Sequence, residues 1–74
     1  MVDEMLDAKG MMCPMPIVML TKKMKVMSSG QTLELVADDE GALEDVPAWT
    51  SRTGNELVEQ RQDGGKYYFV IKKK

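Results

Sequence analysis

Cys13 is the only cysteine of the chain, and histidine is absent altogether. No disulfide can close within such a chain, and no small zinc domain of Cys and His ligands can be assembled from it. Its 74 residues must therefore fold around an apolar core with neither kind of staple. A chain of this size buries only about 60% of its unfolded surface, enough for one core, so a single domain over residues 1–74 is expected. Hydrophobic residues at 43% and charged residues at 30% are globular proportions, which sets aside disorder and fibrous repeats. A lone thiol also fits the reducing cytoplasm, where small folds are not bridged by disulfides.

The same absences narrow the chemistry. Without histidine there is no Ser-His-Asp or Cys-His catalysis, and any general base must be a carboxylate, lysine, tyrosine or a partner's residue. Ten Lys and Arg against twelve Asp and Glu leave a net charge of −2, which does not steer the molecule toward nucleic acid. Met11 to Leu20 is uncharged and as long as a signal-peptide core. Asp3, Glu4 and Asp7 precede it, however, Pro14 and Pro16 interrupt it, and no small-residue cleavage site follows. A membrane helix needs about 20 apolar residues in a row, and none is present. A soluble, cytoplasmic protein is expected.

Periodicity predicts six elements. Met5 to Asp7, with a reach back toward Val2, reads as a short strand leading through a Lys9-Gly10 turn to the cysteine. From Pro14 onward Ile17, Leu20, Met24 and Met27 recur at helical spacing, an amphipathic helix stopped near Ser29-Gly30. Thr32 to Ala37 alternates, with Leu33, Leu35 and Ala37 on one face. Asp38 or Asp39 is then expected to cap a second helix carrying Leu43, Val46 and Thr50 toward the sheet, kinked or restarted at Pro47 and ended by Gly54. Two further strands, Glu56 to Gln62 and Lys66 to Lys72, flank Asp63-Gly64-Gly65, which is hairpin-turn chemistry. The fold class expected is α+β: a two-layer sandwich in the order β-α-β-α-β-β, two helices on one face of a four-stranded mixed sheet.

Cys13-Pro14-Met15-Pro16 carries the chemistry. A residue before proline is pushed out of helical geometry, so Cys13 is expected to cap the first helix, with either Pro14 at its first position or, since Met15 also precedes a proline, a rigid lead-in to a regular helix from Pro16. The two prolines remove two first-turn donors and leave the amides of Met15 and Ile17 to face the sulfur. The positive helix end, helped by Lys9, predicts a modestly lowered thiol pKa. That suits a carrier better than a stand-alone hydrolase, because a departing thiolate must be a fair leaving group.

Asp7, Gly10, Cys13-Pro14-Met15-Pro16, Gly30, Leu33, Asp38-Asp39, Asp45-Val46-Pro47 and Gly54-Asn55-Glu56-Leu57 together resemble the TusA/SirA-like sulfur-carrier family over nearly the whole chain. The resemblance implies a sulfurtransferase-type carrier with a persulfide on Cys13, loaded by a cysteine desulfurase or rhodanese-type donor and emptied onto an acceptor protein. Family members serve transfer RNA thiolation, sulfur oxidation and other pathways. The second helix reads Ala48-Trp49-Thr50-Ser51, without the further cysteine of some members, so a two-cysteine relay is excluded. Others have Gly-His-Glu where this chain has Gly54-Asn55-Glu56.

Gly10, Pro14 and Pro16 are expected to shape the motif. Met11, Met12 and Met15 flank the cysteine as an adaptable docking patch, whereas Met24 and Met27 fill the core. Trp49 is placed at the core edge, partly exposed. Asp38-Asp39-Glu40 and Glu44-Asp45 lack EF-hand spacing and are read as solvated caps, and Lys72-Lys73-Lys74 as a solvated end. No metal, cofactor or direct nucleic-acid contact is expected. The rival to a carrier is an interaction module that uses the Cys13-Pro14-Met15-Pro16 surface for docking alone; a redox protein is disfavoured by the missing resolving cysteine.

Overall fold

The computed structural model describes residues 2–74. Along them lie β1 (Glu4–Ala8), α1 (Met15–Val26), β2 (Thr32–Ala37), α2 (Ala42–Thr53), β3 (Glu56–Asp63) and β4 (Lys66–Lys72). Alternation decides the sheet. Leu33, Leu35 and Ala37 are fully buried on one face of β2, flanked in register by Leu6 and Ala8 of β1 and by Phe69 and Ile71 of β4. β1 pairs with β2 in parallel, the other pairings are antiparallel, and the strand order is β1-β2-β4-β3. Two helices packed on a four-stranded mixed sheet is the architecture the periodicity predicts.

Both helices lay their apolar residues on that face. Leu20, Met24 and the following Met27 from α1, with Ala42, Val46 and Trp49 from α2, join the buried sheet residues in one core. The end of α1 differs from expectation. Met27 turns to extended backbone and ends the helix, while Gly30, at φ +87°, sits in the later turn to β2. Lys73 donates its ammonium to the carbonyls of Met24 and Met27, at 2.6 and 2.7 Å, placing a positive charge at the helix end, where the Met24 carbonyl also accepts the Met27 N–H. Lys73 is thus a tether rather than part of a solvated tail.

α2 runs as one helix through Pro47 to its cap at Gly54, without a turn and fresh start at the proline. The proline removes one intrahelical bond, and packing of Val46 and Trp49 on either side of it holds the helix together. Trp49 is only 4% exposed, and its indole N–H donates to Thr21 Oγ1 at 3.1 Å. It is a core residue that joins the two helices, because α2 buries against α1 as well as against the sheet.

The hairpin closes as Asp63-Gly64-Gly65 predicts. Gly64 and Gly65 both have positive φ, +58° and +81°, the pairing a two-residue turn needs to follow the twist of its strands. Edge strand β3 carries a bulge at Val58, between the Leu57–Ile71 and Glu59–Val70 pairs. On the helix-free face the Arg61 guanidinium spans Glu34 and Glu59, at 2.9 and 2.8 Å, and lies 4.6 Å over the Tyr68 ring.

Candidate functional site

Parallel pairing of β1 and β2 ends at Ala8 opposite Ala37, so the loops that leave the two strands emerge side by side. The first carries Gly10 and Cys13; the second carries Asp38 and Asp39. Gly10, at φ +80°, takes the left-handed turn that a side chain would disfavour. Its N–H lies 3.0 Å from each oxygen of Asp38. Three residues on, the Cys13 N–H donates to Asp39 Oδ2 at 2.8 Å. These two acids are not helix caps: α2 is capped at Gly41 without a side-chain bond. They stitch the two loops together instead.

Cys13 is exposed, and its Sγ–H donates to Asp45 Oδ2 in the first turns of α2, at 2.8 Å. Nor is it the cap of α1. Pro14 holds that position, with Met15 and Pro16 as the first two helical residues, and the Cys13–Pro14 peptide is cis. The Met15 and Ile17 amides do not face the sulfur: they donate to the carbonyls of Met12 and Pro14, at 2.9 and 3.1 Å. Lys9 is paired with Asp7 at 3.8 Å. With carboxylates where donors were expected, the thiol pKa is raised rather than lowered. The hydrogen bond to Asp45 is the main cause, followed by partial desolvation and the negative charges of Asp45 and Asp39.

The methionines divide. Met12 and Met15 are exposed beside the cysteine, with Val18 one turn further along α1, whereas Met11 packs against the core. The structure thus brings Cys13 together with Gly10, Pro14, Met12 and Met15, and turns Pro16 inward as a buried residue of α1. Sequence reasoning missed Asp39, Asp45 and Gly41 as neighbours of Cys13, and Asp38 as the partner of Gly10. A Cβ on Gly41 would lie 3.2 Å from Asp39 Oδ2 and 3.6 Å from Cys13 Cβ, so a side chain there would press on the Asp39 carboxylate. Among the described residues no three His, Cys, Asp or Glu side chains are grouped to hold a metal ion.

The thiol stands outside the cavities at the opposite end of the sheet. One, of about 350 Å³, is lined by Gly30, Gly54, Glu56 and the terminal lysines; another, of about 280 Å³, lies between Trp49 and Lys73. Neither is lined by Cys13. A reacting group exposed on the surface and outside both cavities fits chemistry completed by a second protein.

The chain is similar to known proteins in sequence and in fold. The model of the family described as "Sulfurtransferase TusA" matches residues 4–73. The chain is 48% identical over 71 residues to the sulfur carrier protein TusA of Allochromatium vinosum, covering 96% of this chain and 93% of that one. It is equally identical over 71 residues, 96% of this chain and 95% of the relative, to the putative sulfur carrier protein YrkI of Bacillus subtilis. A crystal structure of a SirA-like protein from Desulfitobacterium hafniense superposes with a TM-score of 0.81 at 20% identity, covering 93% of this chain and 95% of that one.

Proposed function

Since the chain belongs to the TusA sulfurtransferase family and is a sulfur carrier, we propose that it carries its sulfur as a persulfide on Cys13. Exposure of that thiol at the junction of two loops, outside the two cavities at the far end of the sheet, is the observation that carries the reading. Protein partners supply and remove the sulfur; a cysteine desulfurase or rhodanese-type donor and a downstream acceptor protein are the classes that fit. Cys13 attacks the terminal sulfur of a donor persulfide, the donor's own sulfur leaves as thiolate, and a later nucleophile repeats the exchange on the loaded carrier.

Gly10 sets the turn, while Pro14 and Pro16 restrict the lead-in, so that little conformational freedom is lost when a partner docks. Met12 and Met15, unbranched and exposed, give an apolar rim that adapts to more than one partner; Met11 supports it from beneath. Among the described residues no helix is long and apolar enough to cross a membrane, and the cytoplasm, with its reduced thiols, suits this chemistry.

Incubation with a cysteine desulfurase and free cysteine, followed by intact-mass measurement, tests the assignment. The native chain gains one sulfur that reductant removes, and Cys13→Ser gains none. Sulfur uptake by Cys13→Ser overturns the assignment to Cys13, and full biological activity of that variant transfers the role to docking alone.

A further inference from the structure

We propose that Asp45 is a positioning residue that senses load: its carboxylate holds Cys13 while the thiol is empty and lets it go once sulfur is bound. The proposal rests on the carrier reading above. Cys13 is tied at two atoms by two different carboxylates, its N–H to Asp39 and its Sγ to Asp45, each at 2.8 Å. The backbone bond is indifferent to what the sulfur carries. The side-chain bond needs the thiol hydrogen, because an ionised carboxylate can only accept. The charged groups facing the sulfur are Asp45 from α2 and Asp39 from the loop before it, and the first turn of α1, Met15 to Val18, carries no charge to offset them.

Loading removes the hydrogen on which the tether depends. In exchange with a donor persulfide the Sγ–H bond breaks and a bond forms from Sγ to the donor's terminal sulfur. The bond between that sulfur and the donor's cysteine breaks, and the donor sulfur keeps the electron pair and takes up the proton. One thiol and one persulfide become one persulfide and one thiol, with no net oxidation. Sγ then offers only lone pairs to the Asp45 oxygen, and an ionised terminal sulfur adds like-charge repulsion from both acids. The loaded side chain leaves Asp45 while Asp39 keeps its backbone in place, so the transferable atom moves outward on a fixed pivot. Asp45 thereby favours the empty carrier over the full one, which makes the full carrier the better donor.

Three measurements on the full chain test this. Alkylation of the empty protein by iodoacetamide, followed against pH, should move its midpoint to lower pH in Asp45→Asn. Equilibration with glutathione persulfide and glutathione, read by intact mass, should leave Asp45→Asn with a loaded-to-empty ratio a few-fold higher than native. In the native chain, which needs no variant, the Asp45 carboxyl carbon resonance should shift on loading. An unchanged alkylation profile and loading ratio in Asp45→Asn, or an Asp45 resonance unmoved by loading, overturns the proposal. A native chain that takes up no sulfur from glutathione persulfide sinks the carrier reading instead, and the alkylation profile still decides whether Asp45 holds the thiol.

Discussion

A thiol that donates to one carboxylate and lies near another is a slow nucleophile when left alone. Because its pKa lies above the ordinary thiol value, a smaller fraction is thiolate at any given pH. The native fold therefore favours the protonated sulfur; that contribution is present below the ordinary thiol pKa and fades as pH rises through the raised one. Solvent at the exposed site screens it, so it shows in reactivity rather than in stability. Native Cys13 should react with iodoacetamide more slowly at neutral pH than Cys13 in the urea-unfolded chain, and the gap should close in alkaline buffer. A faster native thiol would contradict the geometry. None of this was legible along the chain, since Asp38, Asp39 and Asp45 stand 28, 26 and 32 positions from the groups they bind. Local rules offered those acids a role as helix caps, and acids that cap look the same in sequence as acids that bridge two loops. What the sequence did carry was Cys13 between its prolines, because that restriction is a property of adjacent residues.

Elements were most legible where one periodicity had one surface to answer. β2 meets the core on a single face, and its alternation named the buried residues correctly; the hairpin followed from two glycines at positions that require positive φ. α2 answers two surfaces, the sheet and α1, and a single stripe drawn through Leu43, Val46 and Thr50 left Trp49 at the edge of the core it helps to fill. Pro47 misled for a related reason: its local cost was visible and the tertiary packing that outweighs it was not. The cost remains in the structure. Restoring the N–H and relieving the ring against the preceding turn, Pro47→Ala should raise unfolding stability by about 1–3 kcal/mol in urea denaturation. A fall in stability would mean that the ring itself packs to better effect than the missing bond.

At the scale of the whole molecule the element order and the mixed sheet could be derived from lengths and connections alone, whereas the tether from Lys73 to the end of α1 could not. A terminal lysine looks solvated until the chain end is known to lie beside a helix with open carbonyls. That tether and the cavities sit at one end of the sheet, and the sulfur with its two loops at the other. With the persulfide on Cys13 as proposed, giver and receiver come to the same doorway, and a molecule 30 × 23 × 18 Å in extent has little room for both. Delivery should accordingly follow a ping-pong rate law, with parallel double-reciprocal lines as the donor concentration is varied at several acceptor concentrations. Intersecting lines would require a ternary complex. Under the same geometry an excess of receiver becomes an inhibitor, queuing on the unladen protein and keeping the next cargo from being taken on.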